Sequence, residues 1–341
     1  CLKDRDGKEV FGDPIEKTLD LLAKGEIVAI KGLGGFHLAC DAKNQEAVSS
    51  LRSRKFREDK PFAVMCRNIE AVKEHCEINK EEEKLLLSVE RPIVILRRKE
   101  DSSIAHAVAP YQDTLGVMLP YSPLHHLLLD GLIKALVMTS GNVSDEPISY
   151  KNEEAFHRLS RIADYFLFHN REIHMRCDDS VTRIIEGKPY VLRRSRGYVP
   201  FPIKLSFPLE MILACGGELK NTFCLTRGQY AFMSHHIGDL ENLETLTSFE
   251  EGTEHFKKLF YIEPKAVAYD LHPDYLSTQY ALSIQDLPRI GVQHHHAHIV
   301  SAMVENGIEG DVIGVALDGT GFGLDGTIWG GEFIKANLKD F

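Results

Sequence analysis

The chain has 341 residues, 43% hydrophobic and 26% charged, with a formal net charge of -10; this is an ordinary globular composition at a length that favours two domains. No apolar run approaches the roughly 18 residues of a membrane span and the N-terminal CLKDRDGKEV has no signal-peptide apolar core, so no membrane association and a cytoplasmic location are the expectation. Residues 1–200 carry 31 Lys+Arg against 31 Asp+Glu and residues 201–341 carry 9 against 19, so neither half has the basic footprint of sustained nucleic-acid binding.

In chain order, PIEKTLDLLAKG (14–25) and NQEAVSSLRSRK (44–55) read as helices. They alternate with the apolar runs EIVAIKG, PFAVM, RPIVIL, GVML and ALVMTSG, expected as strands of an α/β sheet domain. SVTRIIEGKPYVLRRS (180–195) reads as a hairpin with Gly187 in its turn. Four segments of this half suggest an anion pocket. KGLGGFHLACD (31–41) reads as a strand that carries Lys31, followed by a glycine-rich loop with His37. LRSRKFREDKP (51–61) gathers Arg52, Arg54, Lys55, Arg57 and Lys60; taken alone, such a run is ordinarily a solvated helix face. TSGNVSDEP (139–147) offers Ser140 and Asn142 at a strand end, where α/β sites form, and VLRRSRGYVP adds Arg193, Arg194 and Arg196. Together they could clamp a triphosphate and stabilise departing pyrophosphate without any GxxxxGK[ST] loop.

The stretch GYVPFPIKLSFPLE (197–210), with Pro200, Pro202 and Pro208, coincides with the shift in charge and marks the boundary between domains 1–200 and 201–341. Beyond it MILACGGELKNTFCLTRGQYAFMSHH reads as strands with turns, 242–260 as a helix, and AVAYD, RIGVQ and DVIGVALD as strands. The seven cysteines include no CxxC pair, which argues against a disulfide framework and against a zinc ribbon.

QHHHAHIVSAMVENG (293–307) opens a helix on which His294 and His298 share one narrow face, away from the apolar side to which His296 points. Two imidazoles need a third ligand, and Asp318 is the candidate, ending the strand DVIGVALD where a glycine-rich loop begins. Two histidines and a carboxylate suit Fe(II) or Zn equally, and without an HExxH glutamate protease chemistry is disfavoured. GFGLDG (321–326) formally matches GxGxxG, yet TIWGGEFIKANL after it alternates like a strand, so a hairpin turning at Asp325-Gly326 is expected. CGGELKN (215–221) is a similar strand-to-hairpin turn. Its Gly216, Gly217, Lys220 and Asn221, with Gly319, Gly321, Gly330 and Gly331, form the expected phosphate-cradling set.

These strings resemble the HypF family of hydrogenase-maturation carbamoyltransferases: KGLGGFHLACDA, LRSRKFREDKPFAVM, MTSGN and LRRSRGYVP its YrdC-like α/β domain, QHHHAH and LDGTGFGLDGTIWGGE its TsaD-like domain of the sugar kinase/actin (ASKHA) class. The resemblance covers nearly the whole chain. It implies that carbamate, derived from carbamoyl phosphate, and ATP with Mg2+ give carbamoyl adenylate and pyrophosphate in the first domain. In the second, beside one transition metal ion, Fe or Zn, the carbamoyl group would pass to the C-terminal cysteine of the partner HypE. The implied catalytic residues are Lys55, Arg54 and His37. The implied nucleotide set adds Lys31, Lys60, Ser140, Asn142, Arg193 and Arg196, and the implied metal ligands are His294, His298 and Asp318.

The resemblance implies a family with an acylphosphatase-like domain and zinc-binding fingers, neither of which lies within these 341 residues, and with a duplicated TsaD-like fold, of which about 130 residues follow the proline-rich stretch. The expectation is therefore a partial ASKHA domain and a chain that does not efficiently make carbamate from carbamoyl phosphate by itself. Two other functions compete: a threonylcarbamoyl-adenylate enzyme acting on tRNA, disfavoured by the charge distribution, and a non-catalytic nucleotide- and metal-binding maturation scaffold.

Overall fold

The computed structural model describes residues 1–143 and 146–341; Ser144 and Asp145, part of TSGNVSDEP, lie outside them. The described chain divides into two compact units, Cys1–Tyr198 and Val199–Phe341. No helix among the described residues is long and apolar enough to cross a membrane.

The first unit is a mixed ten-stranded sheet. Its strands run across the sheet in the order Leu2–Asp4, Tyr165–Leu167, Val28–Lys31, Phe36–Asp41, Ala135–Ser140, Ala63–Cys66, Thr114–Met118, Ile93–Arg97, Val181–Ile185 and Lys188–Arg193. Alternate residues enter two separate cores: Ala29, Leu38, Val64, Val94, Val117 and Val137 one, Val28, Ala39, Met65, Ile93, Met118 and Leu136 the other. Burial on both faces explains why these strands read as continuous apolar runs. Helices Pro14–Ala23 and Gln45–Arg54 start where Asp13 and Asn44 accept hydrogen bonds from the first free backbone N–H groups. Val181–Ile185 and Lys188–Arg193 form the hairpin expected around Gly187, with Glu186 and Gly187 both at positive φ (50° and 76°).

One expectation is corrected here. The segment after the glycines is no loop: Phe36–Asp41 is a strand, antiparallel to Val28–Lys31, and His37 stands on it. Its first five residues are all buried, so it shows no alternation that would mark it as a strand.

The second unit is built on a five-stranded sheet in the order Ile203–Leu209, Cys224–Met233, Ile212–Ala214, Ala266–Asp270 and Arg289–Val292. The last three run parallel to one another. Ile203–Leu209 falls within the proline-rich stretch expected as a boundary; it is an edge strand, where Pro208 removes no required donor. Helix Leu243–Phe260 packs Phe249 and Phe256 around Phe223 in the core. Helix His294–Glu305 seats Ile299 and Met303 against Ala336 of a two-stranded hairpin, Val312–Phe322 with Ile328–Ala336.

Candidate functional sites

In the first unit Lys55 caps helix Gln45–Arg54 and is 3% exposed. Its Nζ donates to the carbonyls of Ser140 (2.9 Å) and Asn142 (2.6 Å) and to Asn142 Oδ1 (2.6 Å). Ser140 Oγ also donates to Asn142 Oδ1 at 2.8 Å, while Asn142 Nδ2 donates to the Glu146 carbonyl at 2.7 Å. Sequence-distant Lys55, Ser140 and Asn142 thus form one group. Burial, reinforced by the positive charges of Arg57 and Lys60 against the pull of Asp178, pushes Lys55 down to about 7. Burial followed by Arg52 and Arg193 pushes Arg57 down to about 10. Cations that depress one another in this way favour a polyanion beside them.

Around this group Arg193 Nη1 meets Asp178 Oδ2 at 2.7 Å, and Lys60 is exposed. Arg196 is fastened more deeply. Its Nε donates to Asp179 Oδ1 at 2.7 Å, its terminal nitrogens donate to the Glu90 and Arg91 carbonyls, and its guanidinium lies 3.5 Å over the Tyr121 ring. His37 Nε2 stands 3.2 Å from Asp179 Oδ2 and 3.4 Å from the Tyr121 hydroxyl. Burial alone would raise Asp179, yet the His37 hydrogen bond and the Arg196 charge outweigh it and hold the carboxylate well below its usual range. Lys31, 3% exposed, donates to the His169 carbonyl at 3.3 Å, and burial lowers it.

Arg54 is placed elsewhere. Its Nη1 donates to the Ile162 carbonyl (2.9 Å) and to Asp164 Oδ1 (2.8 Å), a carboxylate that also pairs with Arg5 and accepts from the Ile27 N–H. Tyr121, Asp178 and Asp179 went unrecognised in the sequence. The Asp178-Asp179 pair, set just before a strand in a chain segment rich in arginine, was the available signal.

In the second unit the site forms at the C-terminal ends of the three parallel strands, the usual place in α/β sheets. The CGGELKN loop follows Ile212–Ala214, Asp270 ends Ala266–Asp270, and helix His294–Glu305 follows Arg289–Val292. Gln293 starts that helix: its Oε1 accepts from the His296 N–H and its Nε2 donates to the Phe322 carbonyl, tying helix to hairpin. His294 Nε2 lies 2.8 Å from Asp318 Oδ2 and 3.2 Å from His298 Nε2, and His298 Nε2 lies 3.9 Å from Asp318 Oδ2. One ligand atom from each of the three residues falls within 4.8 Å of the others. Tetrahedral ligands about 2.0–2.2 Å from a common ion stand about 3.3–3.6 Å apart, a span that the separations of 2.8, 3.2 and 3.9 Å bracket, so this donor set fits a small transition-metal ion.

Asp270, also unrecognised in the sequence, meets the other ring nitrogen of His294, Nδ1, at 2.6 Å. That hydrogen bond is the main reason His294 is raised, whereas burial and then the charge of His294 lower His298. His296 is buried and bonded to the Asn337 carbonyl. His295, fully buried, stands 3.8 Å from Asp318.

Asp318 does not end its strand, a second correction. The strand runs on to Phe322 through an irregularity in which Leu317 pairs with Gly331 and Gly321 with Trp329. Three residues, 318 to 320, therefore face Gly330 alone. Such a bulge re-aims a side chain such as that of Asp318, and the Gly319 N–H donates to Asp318 Oδ1 at 2.6 Å. The expected turn at Asp325-Gly326 is present, with Gly326 at φ 76°; Asp325 Oδ1 holds it by accepting from Thr327 and Trp329. In the CGGELKN loop Asn221 is 2% exposed and spends its amide on the Cys215 and Gly217 carbonyls, so it holds the loop closed, while Lys220 is exposed. A Cβ on Gly217 would lie 3.7 Å from the His294 ring and 3.9 Å from Asp270 Oδ2, which sets this loop beside the His294–Asp270 pair; Gly216 adopts φ 71°. Beside it a cleft of about 470 Å³ is lined by Glu218, His272, Asp274, Tyr275, Phe322 and Ile328 among others.

Residues 20–195 match the Sua5/YciO/YrdC family, described as "Telomere recombination"; residues 208–305 match the "HypF Kae1-like domain" and 314–341 the "Carbamoyltransferase, Kae1-like Domain, second subdomain". The carbamoyltransferase HypF of Synechocystis sp. is 50% identical over 93% of this chain and 42% of its own length. A full-length HypF crystallised in its phosphate- and nucleotide-bound form superposes with a TM-score of 0.95 at 52% identity, over 99% of this chain and 44% of that one. The T. kodakarensis HypF does so at 0.93 and 45%, over 98% and 44%. The fold is thus a Sua5/YrdC-like domain followed by Kae1-like, ASKHA-type domains. The chain belongs to the HypF family, and it spans less than half the length of these relatives.

Proposed function

We propose that this chain carries the two transfer sites of an ATP-dependent carbamoyltransferase, with residues 1–200 forming carbamoyl adenylate and residues 201–341 passing the carbamoyl group to a thiol. The observation that carries this reading is the 52% identity, across 99% of the chain, to a HypF crystallised with phosphate and nucleotide. In the first step a carboxylate oxygen of carbamate bonds the α-phosphorus of ATP as the bond to pyrophosphate breaks. Lys55, Arg57, Lys60 and Arg193 neutralise the phosphates and the departing pyrophosphate, with Mg2+ entering as the nucleotide's counter-ion. Ser140 and Asn142 hold the Lys55 ammonium in place.

In the second step the acceptor thiolate, the C-terminal cysteine of HypE, adds to the carbamoyl carbon, and AMP leaves with the bridging oxygen. His294, His298 and Asp318 would hold an iron or zinc ion, which supplies Lewis acidity to the acyl carbonyl. Asp270 fixes the His294 ring, and the glycine loops at 216–217 and 319–321 let backbone approach the adenylate phosphate.

Pyrophosphate exchange into ATP, measured on the purified chain with ammonium carbamate, tests the first step. Carbamate-dependent exchange is expected. Exchange that needs threonine instead, or nucleotide binding without exchange, overturns the reading.

A further inference from the structure

One buried ring nitrogen of the first unit, on His37, has no hydrogen-bond partner among the described residues. His37 is 5% exposed, and its Nε2 faces Asp179 Oδ2 at 3.2 Å. That carboxylate is ion-paired to Arg196 at 2.7 Å and can only accept, so the hydrogen of the bond sits on Nε2. With that hydrogen on Nε2, Nδ1 is the ring nitrogen left to bond, and it has no hydrogen-bond partner among the described residues. Buried acceptors are seldom left in this state.

The position of Nδ1 narrows what could meet it. It faces the turn at residues 32–35, where a Cβ on Gly32 would lie 2.9 Å from Nδ1 and 2.8 Å from the Gly35 carbonyl oxygen. Any side chain at position 32 would press against Nδ1 and the Gly35 carbonyl. His37 is also the register partner of Ser140 on the neighbouring strand, and the Ser140 carbonyl holds Lys55 Nζ at 2.9 Å. The unpaired acceptor therefore stands one strand away from the cationic group.

We propose that His37 Nδ1 accepts a hydrogen bond from the amino group of the small acid activated in the first unit, and so selects carbamate over acids of the same shape and charge that lack an N–H. This rests on the adenylation reading above. Adenylation uses only the carboxylate of carbamate, whose oxygen bonds the α-phosphorus while pyrophosphate leaves. The amino group makes and breaks no bond; it alone separates carbamate from acetate, in which a methyl group replaces it. An acetate methyl would leave the Nδ1 lone pair unpaired, and sites built to bond a substrate N–H reject such isosteres strongly.

The test compares pyrophosphate exchange with ammonium carbamate and with acetate for the parent chain, His37→Leu and His37→Asn, the last keeping an acceptor oxygen. The parent should favour carbamate by at least ~100-fold in kcat/KM. His37→Leu should narrow this to within about tenfold, chiefly by raising the KM for carbamate with the KM for ATP unchanged, and His37→Asn should recover part of it. A His37→Leu chain that keeps the parent's ratio, or in which both KM values rise together, overturns the proposal. Should that variant not fold, the parent itself decides, because equal exchange with both acids also overturns it. A parent inactive with carbamate defeats the adenylation reading instead, a distinct result.

Discussion

Asp270 Oδ2 and His294 Nδ1 stand 2.6 Å apart, and the same imidazole turns its Nε2 to Asp318 at 2.8 Å. A carboxylate behind a metal-binding histidine fixes its tautomer and ring plane and raises its basicity. Asp270 is itself held, accepting from the His272 N–H at 2.9 Å. Asp270→Asn should therefore lower metal affinity about 10–100-fold with the three ligands intact, measured by competition with a chromophoric chelator. His294→Ala combined with His298→Ala should remove the metal altogether by elemental analysis. An Asp270→Asn chain with the parent's affinity would show that the bond orients nothing that matters to the ion.

Lys55 gives the first unit a definite pH dependence. Its ordinary value of 10.5 falls to about 7 in the folded chain. Between these values the unfolded chain binds a proton that the folded chain does not, so stability rises with pH across that window; below about 7 the buried ammonium opposes folding in full. Lys55→Met should thus be most stabilising near pH 6.5, by on the order of a few kcal/mol, and lose that advantage towards pH 10. Urea unfolding of both chains at pH 6.5 and 9.5 checks this, and a difference independent of pH would contradict it. ATP bound beside Nζ should restore the proton, so calorimetry at pH 8.5 in two buffers should record uptake of about one proton, absent in Lys55→Arg.

Arg54 separates scaffold from site. Asp164, 7% exposed, gathers Arg54, Arg5 and the Ile27 N–H. Removing that carboxylate strands a backbone donor and two guanidinium groups, so Asp164→Ala should cost about 2–3 kcal/mol in denaturant unfolding. Arg54→Ala should cost less, about 1 kcal/mol, because Arg54 is one-third exposed and solvent screens it. Its effect should fall on stability, and a large rise in the KM for ATP without loss of stability would return Arg54 to the phosphate site.

The contrast between Arg54 and Lys55, adjacent in sequence and joined to different partners, shows where sequence reading stops. Local signals were legible: the helices over 14–25 and 44–55, the turns at Gly187 and Gly326, and the helical spacing of His294 and His298 each depend on a few neighbouring residues. Asp270 lies 24 residues before His294 and reaches it only because strands Ala266–Asp270 and Arg289–Val292 run parallel, with Asp270 opposite Val292. Nothing local encodes that register. Strand Phe36–Asp41 was hidden for a different reason, since burial on both faces erases the alternation that identifies a strand. The Asp179, His37 and Arg196 network joins residues up to 159 positions apart through side chains alone.

Gly321 tests whether the bulge serves the metal site. A Cβ there would lie 2.3 Å from His295 Nε2 and 2.9 Å from the Trp329 carbonyl oxygen. His295 is fully buried and Trp329 is the strand partner of Gly321, so neither yields easily, and the strain passes into residues 318 to 320. Gly321→Ala should cost about 1–3 kcal/mol and weaken metal binding by moving Asp318 away from His294 and His298. Gly326→Ala is the control: φ is 76° and no atom lies within 4 Å of its Cβ, so it should cost about 1 kcal/mol through the backbone alone and leave the metal in place. Thermal unfolding with metal analysis of both chains separates the effects. A Gly321→Ala chain that binds metal like the parent would mean that Asp318 holds its position without the glycine.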